Sequence, residues 1–248
     1  MQTKQETTRS KHTSLRNCTL DELTIGDDAA FRGVGLYRDL RSVLRRDNYT
    51  FRLMPTAAAR WDVALVLNLG FWQARGGGDV LVDEALPADV VCHIALHHLA
   101  GAALSDGELP LSANALILGE AIASAFDVYL LGRLLVCAPD CEFVQSQLPA
   151  MADAAEAAGR TPAQFAALVQ VVQSDPEQAF EQLRQLLYDT VVGMVRAANA
   201  DQALAVLVAA DAHRFGCLLH HYELANWLAH ARAAPENGST ANAVACDA

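Results

Sequence analysis

The segment that most constrains the fold is LILGEAIASAFDVYLLGRLL, at positions 116–135. It belongs to an apolar run over 115–136 that is long enough for one helix to cross a bilayer. The run contains Glu120, Asp127 and Arg133, however, and charged side chains inside a membrane span are energetically expensive. We therefore predict a buried helix of a soluble protein, and we expect no membrane span.

A second apolar segment, VVCHIALHHLAG at 90–101, carries three of the eight histidines of the chain. On a helix, which advances 100° per residue, His93 and His97 share one face, and His98 projects about 100° further round. The segment has no charged residue, so we expect its helix to be buried on all sides. A buried imidazole needs a hydrogen-bond partner or a metal, because leaving it unpaired costs about 1–3 kcal/mol.

The helix over 116–135 carries carboxylates that would also need partners if they are buried. Glu120, Ser124 and Asp127 lie at i, i+4 and i+7 and therefore share a face. Carboxylates are rarely buried without a cation, a hydrogen-bond partner or a metal. Because the loop at 105–110 is short, we expect the two helices to be antiparallel, with their polar faces in contact.

Two histidines at i and i+4 on a helix can direct both rings at one point, which is a common way to hold zinc. A carboxylate from a second helix would complete three ligands and leave one position for water. We therefore predict His93, His97 and Glu120 as ligands of a metal, most simply zinc. Ser124 or Asp127 could orient a ligand histidine through a hydrogen bond to its other ring nitrogen. His98 is a further residue on these two helices that could support the site or serve as an alternative ligand. It could also be a packing residue.

The H-x-x-x-H at 93–97, followed by GEAIASAFD at 119–127, resembles the zinc site of the thermolysin-like gluzincin metallopeptidases. Those enzymes carry H-E-x-x-H on one helix and a third ligand, a glutamate, on the next. The resemblance implies that His93, His97 and Glu120 are the zinc ligands. The sequence departs from the family at Ile94, which stands where the family has its general-base glutamate. Ile94 cannot accept a proton from a zinc-bound water, so any hydrolysis would need another base, such as His98, Asp127 or a histidine of the helix predicted over 201–232.

Three further candidates lie in DAHRFGCLLHHYELANWLAH, which we predict as part of a helix over about 201–232. On one continuous helix, His213, Cys217 and His220 would share a face. They could supply an alternative ligand or a proton shuttle. The other interpretation is that they are polar residues of a helix near the surface.

The predicted fold is mainly α, a single-domain, bundle-like helical core over 19–233 between disordered tails at 1–18 and 234–248. Extended segments at 48–54 and 79–84 are expected to pair as a small β element before the histidine helix. Helix boundaries follow from local residues. Thr56 should cap a helix reaching about residue 71, Ser112 should cap the long apolar helix, and GRTP at 159–162 and SDPE at 174–177 should each separate two helices.

Charge and cysteine usage restrict the function further. The net charge of −11 argues against a nucleic-acid partner. Six cysteines in a chain without a signal-like segment indicate reduced thiols and a cytoplasmic protein. Two functions remain: a zinc-binding protein with a degenerate metallopeptidase-like site, or a non-enzymatic interaction protein with a buried network of histidines and carboxylates. A protein or peptide partner is compatible with both, and the sequence predicts no oligomeric state.

Overall fold

The computed structural model describes residues 14–70, 78–105 and 111–233. Residues 1–13 of the tail predicted at 1–18, most of the loop at 105–110 and the tail predicted at 234–248 lie outside these ranges. The chain divides into two compact units, one formed by residues 1–26 and 44–86 and the other by 27–43 and 87–248. This division falls inside the range that the sequence predicts as one domain.

The first unit contains the small β element. Strand β1 (Arg16–Thr19) pairs antiparallel with β3 (Thr50–Leu53), and β3 pairs parallel with β4 (Val80–Leu81). A second pair joins β2 (Thr24–Gly26) and β5 (Ala85–Pro87). The predicted pairing of the segments at 48–54 and 79–84 is confirmed. Strand β1 begins inside the range predicted as a disordered tail, because its backbone pairs with β3.

The helix of this unit starts later than predicted. Thr56 to Ala58 form a single 3₁₀ turn, and helix α3 runs over Trp61–Gly70. The extended backbone of Ala59 interrupts the helical path, so the prediction that Thr56 caps the helix is wrong. The amide of Asn68 on α3 brackets Val80, donating to its carbonyl oxygen at 3.1 Å and accepting from its N–H at 2.7 Å.

The second unit is helical. Its helices are α1 (Asp28–Phe31), α2 (Gly35–Arg46), α4 (Ala88–Ala103), α5 (Ala113–Cys137), α6 (Glu142–Ala157), α7 (Pro162–Ser174), α8 (Pro176–Arg196), α9 (Ala200–Asp211) and α10 (His221–Ala233). The last three residues of α2 belong to the first unit. The predicted mainly α fold is confirmed.

Helix α5 lies at the centre of the second unit and packs against α4, α6, α7, α8 and α10. It is long and apolar enough to cross a membrane by length and composition, and 67% of its most apolar window is buried within the protein. Burial of that kind is also found in core helices of soluble proteins. Ser112 caps α5 as predicted, with its hydroxyl accepting from the N–H of Ala115 at 3.2 Å.

The residues predicted to separate α6, α7 and α8 act as expected. Gly159 adopts φ +75° after α6, and the N–H groups of Gly159 and Arg160 close a Schellman motif on Glu156 and Ala155. Thr161 caps α7, and its hydroxyl accepts from the N–H of Gln164. The carboxylate of Asp175 caps α8 in the same way, accepting from Gln178 at 2.9 Å.

The prediction of one helix over about 201–232 is wrong. Helix α9 ends at Asp211, a 3₁₀ turn covers Gly216–Leu218, and α10 starts at His221. The chain folds back so tightly that a Cβ atom on Gly216 would lie 2.5 Å from the carbonyl oxygen of Ala210. Only glycine fits this close approach, and the turn cannot be read from helical periodicity.

Candidate metal centre

His93 and His97 stand one turn apart on α4 and present their rings to each other. Their Nε2 atoms are 3.0 Å apart, and the ring centroids are 4.7 Å apart at an interplanar angle of 63°. The preceding part of α4 is anchored in the core, because Val91, Cys92 and Ala95 are fully buried. The helix thus holds two ring nitrogens at one point on its surface, as the i, i+4 spacing predicts.

Glu120 reaches the same point from α5. One of its carboxylate oxygens lies 3.6 Å from Nε2 of His97, and its side chain is 12% exposed. One potential ligand atom from each of His93, His97 and Glu120 lies within 4.8 Å of the other two. In the part of the chain that the structure describes, no other group of three or more histidine, cysteine or acidic side chains meets this spacing.

The order of contacts shows that α4 and α5 are antiparallel, as predicted. A Cβ atom placed on Gly119 would lie 3.6 Å from Ala100, and His97 lies near Glu120. One turn earlier on α4, His93 lines a cavity together with Ser124, which is one turn later on α5. The polar faces of the two helices therefore meet.

The spacing of the donors matches what a tetrahedral ion requires. Zinc–nitrogen bonds of about 2.0–2.1 Å place two ligand atoms about 3.3 Å apart. The separations of 3.0 Å between the two rings and 3.6 Å between His97 and Glu120 lie on either side of that value. At 3.6 Å the second pair is too far apart for a direct hydrogen bond. The three ligand atoms, all within 4.8 Å of one another, could therefore hold a metal ion.

The protonation state of His97 suits a metal ligand. Partial burial, with a smaller effect from the nearby ring of His93, lowers the pKa of His97 below its usual value. The ring is therefore neutral at physiological pH, which is the form that binds metals.

A cavity of about 300 Å³ adjoins the centre, and His93 forms part of its wall. Its other polar lining groups come from α5, α6, the turn before α10 and α10 itself; they are Ser124, Asp127, Gln147, His220 and Glu223. Burial, with the carboxylates of Asp89 and Glu223, raises the pKa of Asp127 to about 7. The face of α4 that carries His93 is thus continuous with a polar pocket.

The other predicted candidates take different positions. His98 stands next to His97 on α4 but does not belong to the group of three ligand atoms. The Nδ1 atom of His213 accepts from the N–H of Phe215 at 3.2 Å. Cys217 lines a separate cavity with Arg160. The shared helical face predicted for His213, Cys217 and His220 is absent because the chain turns between α9 and α10, and among these three it is His220 that lines the cavity beside His93.

The expectation that α4 is buried on all sides is wrong for its second half. Its first half is buried, including Ile94 at 5% exposed, whereas Ala102 and Ala103 are exposed. An uncharged helix end made of alanine and glycine presents little apolar surface, so composition alone does not require its burial. His97 accordingly keeps 30% of its side chain exposed.

Two acidic residues near the site were not predicted. Glu223 lines the cavity, and Asp89 lies near enough to Asp127 to raise its pKa. Glu223 could have been noticed because it follows His220 by three residues. The proximity of Asp89 and Asp127 depends on how α4 and α5 align, which the sequence does not specify.

No protein-family model matches this chain, and neither does any curated protein or solved structure.

Proposed function

We propose that this protein binds a zinc ion through His93, His97 and Glu120. The observation that carries the proposal is the spacing of the three ligand atoms, all within 4.8 Å of one another, on two packed helices. Two imidazole nitrogens and one carboxylate oxygen form a donor set that suits zinc. Three protein ligands leave a fourth position for water or a substrate, which is typical of catalytic rather than structural zinc sites.

The proposed centre is a degenerate relative of the gluzincin metallopeptidase site. The ligand pattern H-x-x-x-H plus a downstream glutamate supports the relation, and Ile94 limits it. The aliphatic side chain of Ile94 is buried and cannot accept a proton from a zinc-bound water. Hydrolysis in this protein would use another base, and two carboxylates, those of Asp127 and Glu223, line the adjoining cavity. We also propose that the protein works in the cytoplasm, where thiols such as those of its free cysteines stay reduced.

The decisive experiment measures metal per chain by elemental analysis after purification in zinc-containing medium and extensive dialysis. We expect about one zinc per chain in the wild-type protein, following from the single three-ligand group among the described residues. His97→Ala and Glu120→Gln should each lose most of it. Loss of a ligand typically weakens metal binding strongly because the remaining donors no longer fill the coordination shell.

His98→Ala is the matched control, since it removes the adjacent imidazole of the same helix and leaves the proposed ligand set intact. It should retain the wild-type zinc content. A wild-type protein without metal, or equal zinc content in the His97→Ala and His98→Ala variants, would contradict the proposal.

A second candidate function is a non-enzymatic interaction protein that uses a buried polar network to specify its structure. The 3.0 Å separation of the two Nε2 atoms favours it, because one neutral ring can donate a hydrogen bond to the other at that distance. Metal analysis separates the two functions. A hydrogen-bonded pair needs no ion, whereas the metal centre retains one through dialysis.

A further inference from the structure

The cavity beside the proposed metal centre has an acidic character. Asp127 and Glu223 line it, and no lysine or arginine does so among the described residues. Its histidines are His93 and the exposed His220. A pocket lined by two carboxylates and by no lysine or arginine favours positively charged ligands.

The surroundings of Asp127 indicate that the cavity binds a ligand. Asp127 lies on α5, is partly buried, and lines the cavity. Within the described ranges no side chain or backbone N–H donates a hydrogen bond to it, and the charged groups that act on it are the carboxylates of Asp89 and Glu223. Partial burial of a carboxylate without a donor or a cation is unfavourable, and a ligand that supplies both would remove that cost.

The rest of the wall is apolar. Val128, Met151, Leu183 and Leu187 line the cavity from three different helices. These side chains offer contact for methylene groups but no further charge. A cavity of about 300 Å³ is also far larger than one metal ion needs.

We propose that this cavity binds an organic cation, a primary ammonium group on an unbranched aliphatic stem, with the ammonium against Asp127 and the stem along Leu183 and Leu187. This inference rests on the proposed function in one respect. His93, a proposed metal ligand, lines the same cavity, so the bound cation would lie beside the metal centre. The substrate class of the centre is then an aliphatic amine, free or as a lysine-like side chain.

The test is calorimetric titration of the zinc-treated full-length protein at pH 8 with pentylamine, which is protonated at that pH, and with its neutral analogue 1-pentanol. We expect pentylamine to bind and 1-pentanol to bind at least about tenfold more weakly, since a charge-assisted hydrogen bond contributes roughly that factor or more. Asp127→Asn should weaken pentylamine binding at least about tenfold for the same reason.

Asp153→Asn is the matched control, because it removes the same charge from an exposed position on α6 and leaves the cavity lining unchanged. It should bind pentylamine like the wild-type protein. Equal affinity for the amine and the alcohol, equal affinity in the Asp127→Asn and wild-type proteins, or no binding of pentylamine would overturn the inference.

Zinc content measured on the same samples separates this inference from the proposed function. Amine binding that depends on Asp127 in a protein without zinc would support the cation site while the metal proposal fails. A full complement of zinc with no effect of Asp127→Asn would overturn the cation site and leave the metal proposal intact.

Discussion

Asp127 links the chemistry of the cavity to the stability of the protein. Burial and two neighbouring carboxylates raise its pKa from an ordinary value of 3.8 to about 7, so the folded state binds its proton more tightly than the unfolded state does. The free energy of unfolding therefore falls as the pH rises from about 4 to about 7. Below that range the carboxyl group is protonated in both states and this penalty is absent.

Asp127→Asn should consequently stabilise the protein more at pH 8 than at pH 5. We expect a gain of about 1–3 kcal/mol at pH 8, less than the full value of the pKa shift because the amide also has to be buried. Urea unfolding at both pH values measures it, with Asp153→Asn as the exposed control. Equal destabilisation by Asp127→Asn at both pH values would mean that the carboxylate has a stabilising partner in the folded protein.

Ile94 shows why a general base cannot be introduced at this position by a single substitution. The side chain is 5% exposed and belongs to the core face of α4. Ile94→Glu would bury a carboxylate among apolar groups, and we expect it to lower the free energy of unfolding by at least about 2 kcal/mol. Ile94→Leu, which conserves volume, should cost less than about 1.5 kcal/mol. Thermal unfolding of the two variants tests this expectation, and a stable Ile94→Glu protein would show that the position can reach solvent.

At the scale of the element, two glycines in helical surroundings should respond to alanine in opposite directions. Gly101 lies inside α4 with nothing within 4 Å of a Cβ placed on it, whereas a Cβ on Gly216 would collide with backbone oxygens of α9. Gly101→Ala should therefore stabilise the protein by about 0.5–1 kcal/mol. Gly216→Ala should destabilise it by more than that, because backbone atoms would have to move. Denaturant unfolding measures both, and a neutral Gly216→Ala would show that the turn can open without loss.

The same contrast explains which elements the sequence could predict. Gly159, Thr161 and Asp175 mark helix ends through hydrogen bonds to residues within a few positions, so local reasoning located α6, α7 and α8. The end of α9 depends on a close approach at Gly216 that has no local pattern. The candidate centre could be predicted because its residues lie on two consecutive helices. The contribution of His220 and Glu223 to the cavity could not, since it depends on where α10 packs.

At the scale of the whole molecule, a centre that joins α4 to α5 should couple metal binding to folding. An ion that binds the folded chain and not the unfolded one adds about 2.7 kcal/mol of stability when its free concentration is 100 times its dissociation constant. For a chain of this size that corresponds to a rise in Tm of roughly 5–11 °C. Removing zinc from the wild-type protein with a chelator should lower Tm by that amount, and adding zinc back should restore it.

The variants make the thermal test specific to the centre. His97→Ala should melt at the same temperature with and without chelator, because its incomplete ligand set no longer binds the ion tightly. His98→Ala should respond to the chelator like the wild-type protein, although its own Tm can differ. A wild-type Tm that does not change with the chelator would favour the hydrogen-bonded pair of His93 and His97 over the metal centre, since that pair joins residues of one helix and requires no ion. A change in Tm shared by His97→Ala would instead place the stabilising ion elsewhere in the chain.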